Sequence, residues 1–322
     1  MTVEEVVPAA GWRRTPPALF PICLGSMGLG LALRRGGDAG LIPAWVGEGM
    51  LLLAALVVLT ALSAYLAKVI ARPRVVWEDL AQPPARAALP AGVMAFGLLA
   101  GALAPYAPGL GRGILVISLI LHLGLIGLVA LELARPAALG RVVSPFLFLP
   151  FVGLIAMPIS AVPLGWSGLA TVLMLLTMPP FAVIFMGSLI RAIRHPTPAP
   201  LRPILAILLA PVALFLTATL LLGWANLASF FLCFVLTVAA ALLARARWLT
   251  AAGWTPAWGS FTFPLAAFAG ALLLASERFG ALAPLAAAVL LAATIIIPTL
   301  AVRALLAWRD GSLARTTAAA AA

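Results

Sequence analysis

The run Trp258-Gly259-Ser260-Phe261-Thr262-Phe263-Pro264 places two phenyl rings and a proline together in a long apolar segment. The chemistry available to it is that of an apolar gate: a phenyl ring has bulk and no charge, and a hydrophobic constriction closes a pore by expelling water. Pro264 has no N–H for the carbonyl of Ser260, and its ring presses on that turn, which predicts a kink beside Phe263. In lipid a carbonyl freed this way is satisfied only by surrounding protein or a water-filled cavity, so the segment belongs inside a bundle. Phe261 and Phe263 lie roughly 200° apart around a helix, so only one faces the bundle axis, and Phe263 is the expected one. A Phe in a membrane helix more often packs than gates, and the adjoining kink is what favours Phe263. Phe20-Pro21 repeats the arrangement near the N-terminus with weaker support.

Groups able to titrate, ligate or attack are scarce. Glu48 and Glu132 fall towards the ends of apolar stretches, Asp38 and Glu277 lie in connections, and Lys68 is placed to snorkel towards the cytoplasm. A charge at mid-membrane costs about 2.5–3.5 kcal/mol even on the lenient insertion scale, so a chain that omits such charges is what packing alone expects. The omission also bears on the permeant. A cation path calls for Asp or Glu rings, whereas helix N-termini, stray N–H groups and cationic mouths stabilise an anion, so the pattern leans towards anions. His122 is a candidate proton-sensing group inside a span, set against a neutral His bonded to a neighbouring helix carbonyl. His122 and His195 have no Cys, His or carboxylate at ligand spacing, so no metal is expected. Cys23 and Cys233 read as small packing residues and not as a disulfide. Without a Walker loop, nucleophile constellation or paired carboxylate, neither an enzyme nor a cofactor is expected.

The composition fixes what kind of element holds such a gate. With 64% hydrophobic and 9% charged residues and a mean hydropathy of +1.18, the chain has too little polar surface for a soluble globule. It reads as an integral protein of the lipid bilayer. The net charge of +11 does not point to nucleic acid, because the Arg residues come singly or in pairs between apolar runs. Those runs predict ten transmembrane spans, at about 16–33, 43–70, 89–106, 111–133, 143–163, 167–190, 201–222, 225–243, 257–275 and 282–306. Sixteen of the twenty Lys and Arg residues fall on the side of the termini, with Arg34, Arg35, Arg112 and Arg278 opposite. Both termini are therefore expected in the cytoplasm, for a multi-pass protein of a bacterial inner membrane. The expected division is a cytoplasmic segment 1–15, a ten-span domain 16–308 and a cytoplasmic tail 309–322 whose end, Thr316 to Ala322, is frayed.

The odd-numbered spans carry the helix-disturbing residues: Pro21 and Gly25 in the first, Gly97 in the third, Pro150 and Gly153 in the fifth, Pro211 in the seventh, Pro264 in the ninth. Spans two, four and eight are smooth and rich in Leu and Ala. Broken helices belong where backbone groups are satisfied and smooth ones suit lipid, which predicts five helical hairpins with odd spans inside and even spans outside. Pro179-Pro180 and Pro298 depart from the rule and suggest a subunit interface for spans six and ten.

Four stretches resemble the tellurite-resistance/dicarboxylate transporter family, which includes the plant slow anion channels of guard cells. They are Phe20 to Gly30 with its aromatic and Leu-Gly pattern, Ser144 to Pro158, Leu201-Arg202-Pro203 through Pro211, and Trp258 to Pro264, which is similar to the family's aromatic-Thr-Phe-Pro motif. The resemblance implies a quasi-symmetric ring of five hairpins, odd helices lining a pore in each subunit, and a homotrimer. It implies that Phe263, after Thr262, occludes that pore, and that the permeant is a small anion of the chloride, nitrate, malate, sulfite or tellurite class. Phe261 stands where Tyr or Trp is expected. The leading expectation is an anion channel or facilitator. The alternatives are a proton-coupled exporter of dicarboxylates or tellurite-like oxyanions, using His122 or Glu132, and a membrane scaffold or enzyme subunit without a permeation path.

Overall fold

The computed structural model describes residues 11–135 and 143–322, and every regular element among them is helical. A 3-10 turn, Pro17–Leu19, leads into α1 (Phe20–Asp38), followed by α2 (Ala44–Ala71), a short α3 (Val75–Ala81), α4 (Pro83–Leu103) and α5 (Pro108–Ala134). The chain resumes in a broken stretch: a 3-10 turn at Pro145–Leu147, α6 (Phe148–Val152), a second 3-10 turn at Gly153–Ala156 and α7 (Pro158–Ala161). Then come α8 (Ser167–Arg194), a 3-10 segment Ala199–Leu208 leading into α9 (Leu209–Leu221), α10 (Ala225–Ala244) and the short α11 (Ala246–Leu249). A 3-10 turn, Pro256–Phe261, opens α12 (Thr262–Arg278), and α13 (Ala283–Arg309) and α14 (Ser312–Thr316) complete the fold.

Among the described residues nine helices are long and apolar enough to cross a membrane. The predicted fifth span is the broken stretch instead, because Pro145, Pro150 and Pro158 remove backbone donors within 17 residues and no continuous ladder survives. Burial divides the nine. In the most apolar 18 residues of each, between 72% and 89% are buried in Pro17–Asp38, Pro83–Leu103, Ala199–Leu221 and Pro256–Arg278, against 22–33% in the other five. The inner elements are thus the expected odd-numbered ones. Each outer helix buries only a stripe: in α13 it is Ala286, Leu290, Ala293, Ile297, Leu300 and Ala304, alternating steps of four and three along one face. The inner segments pack in chain order, α1 on α4, α4 on α6 and α7, α9 on the turn after α6, α9 on α12, and α12 back on α1.

Four of the five inner segments open with a proline-led 3-10 turn, and Pro21, Pro150, Pro211 and Pro264 fall at the second or third residue of the α-helix that follows. Proline is tolerated in a first turn, whose N–H groups have no intrahelical acceptor. The expected kink inside the ninth span is therefore a change of winding just before Phe263, at Thr262. Prolines within helices are Pro90 in α4, Pro179 and Pro180 in α8, and Pro298 in α13.

Two expectations are corrected at the end where the inner segments begin. Lys68 does not snorkel: it is fully buried, its Nζ donating to Asp79 Oδ2 at 2.9 Å and to the Thr15 carbonyl at 3.2 Å, while the Tyr65 hydroxyl donates to the same carboxylate at 2.9 Å. The tail is not frayed. Gly311, at φ +73°, turns the chain after α13, Leu313 and Ala314 are buried, and the Ala320 N–H donates to Asp79 Oδ1 at 2.8 Å. Arg141, expected on the same face, lies outside the described residues.

Candidate functional site

Glycines on one face of α1 set how closely α12 approaches. A Cβ at Gly25 would fall 2.4 Å from Cβ and Oγ1 of Thr262, and one at Gly28 would fall 3.2 Å from the Phe263 ring. Only hydrogen fits at Gly25. The Thr262 hydroxyl lies 2.8 Å from the Gly259 carbonyl and 3.0 Å from that of Pro21, so its single proton ties the start of α12 to its own turn or to α1. That contact fixes the turn from which Phe263 projects, its ring against Gly28 and 6% exposed. Phe261 points elsewhere, edge-on to Trp258 with centroids 5.6 Å apart.

Phe263 stands between two cavities. One, of about 480 Å³, is lined by the first turns of the inner segments, including Pro21, Gly153, Pro211 and Pro264, and at its rim by Thr316, Thr317 and Ala318 of the tail. Its lining is mostly apolar, with Gln82, Ser260 and threonines as the polar groups and no Asp, Glu, Lys or Arg. The other, of about 20 Å³, is lined by Gly28, Ala32, Arg35, Leu98, Ile159 and Thr217 among others. Among the described residues, Phe263 is the single residue that lines both. The inner segments present their N-terminal ends, the positive ends of their helix dipoles, to the wide cavity. No three His, Cys, Asp or Glu side chains come together as a metal site among the described residues.

A sequence profile of the voltage-dependent anion channel family (SLAC1) matches residues 14–305. The chain belongs to this family. Curated proteins gave no match. The voltage-dependent anion channel family includes the tellurite-resistance/dicarboxylate transporters and the plant slow anion channels, so the resemblance of the four stretches holds at family level, and with it a general anion-transport function.

In this family member the sequence-predicted residues separate into two groups. Pro21, Gly153, Pro211, Phe263 and Pro264 line the wide cavity. Phe20, Gly25, Gly97, Pro150, Thr262 and His122 line neither. Phe20 packs edge-on against Tyr65 at 5.5 Å, in the space left by Gly92, and Gly97 leaves room for the Met157 sulfur. His122, fully buried on α5, lies with Nε2 3.1 Å from the Pro150 carbonyl, next to the point where α6 tightens into its 3-10 turn. Glu132 sits 3.0 Å from Arg135 and 3.9 Å from Arg86.

Sequence reasoning missed Gly28 as the surface behind the ring, and it placed Arg35 in a connection. The first span ends at Asp38, five residues beyond the expected Leu33, and carries Arg35 inward. A signal existed: Arg35 follows Gly28 by seven residues, two helical turns, on the same face. Its neighbour Arg34 turns the other way, to a two-pronged pair with Glu48 at 2.6 and 2.7 Å. Tyr106, in the connection before α5, hydrogen-bonds that carboxylate, which holds its phenol above the ordinary value.

Proposed function

We propose that this chain is an anion channel in which the inner segments line one central passage per subunit and the Phe263 ring occludes it. The observation that carries the proposal is that, among the described residues, Phe263 alone lines both cavities. Shrinking the ring would merge them. An apolar constriction flanked by partial positive charge suits a small anion that sheds part of its hydration, and size with dehydration cost then selects among chloride, nitrate, malate, sulfite and tellurite-class anions.

In this reading Pro145–Ala161 is the fifth of ten spans, completing a quasi-symmetric ring of five hairpins. Its 17 residues, part α and part 3-10, cover about 26–34 Å, comparable to a hydrocarbon core of about 30 Å. The sixteen basic residues on the face of the termini support a cytoplasmic location for both, in a bacterial inner membrane. The apolar outer faces of α8 and α13, with their internal prolines, suit contacts between three copies, which crosslinking in native membranes tests by a ladder ending at trimer. Proton-coupled export has less support, because His122 and Glu132 line neither cavity.

The experiment is anion current across planar bilayers for the wild type and Phe263→Ala, with a pH gradient imposed and then removed. A large ohmic gain in the variant, indifferent to the gradient, is the expected result. Flux that follows the gradient, with the variant equal to wild type, overturns the gate and turns attention to the coupled exporter.

A further inference from the structure

We propose that Arg35 is the anion-binding group of the passage, taking a partly dehydrated monatomic anion, chloride or bromide, in the small cavity beyond the Phe263 ring. This deepens the channel reading and rests on the two cavities being one passage. A guanidinium has five N–H donors, and Arg35 uses one of them, Nη1, on the Gly270 carbonyl at 3.1 Å. That bond anchors the group to α12 and leaves donors for another acceptor. No carboxylate lies within 4 Å of it among the described residues, in contrast to Arg34, whose charge is matched by Glu48. Asp38 and Glu277 attract it electrostatically from outside the lining of the cavity.

The space and its walls define the ligand. About 20 Å³ holds one water-sized or halide-sized species and excludes a dicarboxylate. The other polar side chain in the lining, Thr217, donates its hydroxyl to the Ala213 carbonyl at 3.0 Å, so it offers no free proton to compete for. A fixed positive charge in an apolar, carboxylate-free wall attracts an anion and repels a cation immediately beyond the ring. Arg35 therefore acts after the wide cavity has admitted an anion by weaker dipolar attraction, and it supplies the discrimination by charge that the wide cavity lacks.

The test compares full-length Phe263→Ala with Phe263→Ala/Arg35→Gln and Phe263→Ala/Arg35→Lys. Gln keeps an N–H for the Gly270 carbonyl and loses the charge; Lys keeps the charge. Two readouts are taken: the chloride-to-potassium permeability ratio from reversal potentials in KCl gradients, and saturable chlorine NMR line broadening in detergent. Removal of the charge is expected to lower the permeability ratio by roughly fivefold or more and to abolish the broadening, with Lys retaining both. An Arg35→Gln protein unchanged in both readouts overturns the site. If Phe263→Ala itself passes no anion current, the channel reading fails, and the NMR arm still decides Arg35: broadening lost with Gln and kept with Lys upholds an anion site, and broadening kept with Gln refutes it.

Discussion

On the wide side of the Phe263 ring the buried ionised groups, Lys68 with Asp79 and Arg86 near Glu132, are partnered and stay out of the cavity lining, whereas on the narrow side Arg35 reaches the lining with one carbonyl contact. The same residue types therefore serve different ends. Paired charges behind the rim tie α2, α3 and the tail together, and Arg35, with no carboxylate within 4 Å among the described residues, faces the narrow cavity. In the channel we propose, a passage built this way needs no acidic ring and no titrating group at its centre.

Breaking the pair at the rim has the largest expected effect on stability. Asp79→Ala leaves the Lys68 ammonium buried with only the Thr15 carbonyl, so it is expected to destabilise the protein by about 3–5 kcal/mol, read as a lowered unfolding temperature in detergent. An unchanged temperature would mean that the rim charges are as unengaged as Arg35. Gly28→Val should cost less, about 1–3 kcal/mol, because the added methyls overpack α1 against Phe263 and Ala266. Its second signature is a change in channel current, since the ring's own support moves. Deleting residues 316–322 removes the Ala320 N–H from Asp79 and Thr316 and Thr317 from the cavity rim while leaving the buried Leu313 and Ala314 in place. The expected loss is the smallest, about 0.5–1.5 kcal/mol, with a rise in current through the Phe263→Ala background, and unchanged current there would separate the tail from the passage.

The inside-outside division was legible because it follows from a rule of solvent: broken, glycine-rich helices need protein around them, and the burial of α1, α4, α9 and α12 agrees. That Phe263 reaches the cavity lining was legible because a ring before a proline at the head of an inner helix has few directions open to it. The rest depended on where helices begin and end, which hydropathy leaves uncertain by a few residues. A boundary at Leu33 instead of Asp38 turned Arg35 from a cavity-lining cation into a loop residue. The same uncertainty hid the role of the prolines, which look like kinks when the helix is drawn straight through the preceding 3-10 turn. Lys68 was misread because its partner, Asp79, lies on a short helix with no apolar periodicity to announce it.

The claim that the Phe263 ring is the barrier is tested most directly by a volume series at that position. Conductance of Phe, Leu, Val and Ala proteins, in bilayers of one composition and at one pH, is predicted to climb as the side chain shrinks, reaching roughly tenfold or more at Ala, the change given by a barrier lower by about 1.4 kcal/mol. Equal conductance across the four, with all four folded, would contradict the account and place the barrier elsewhere.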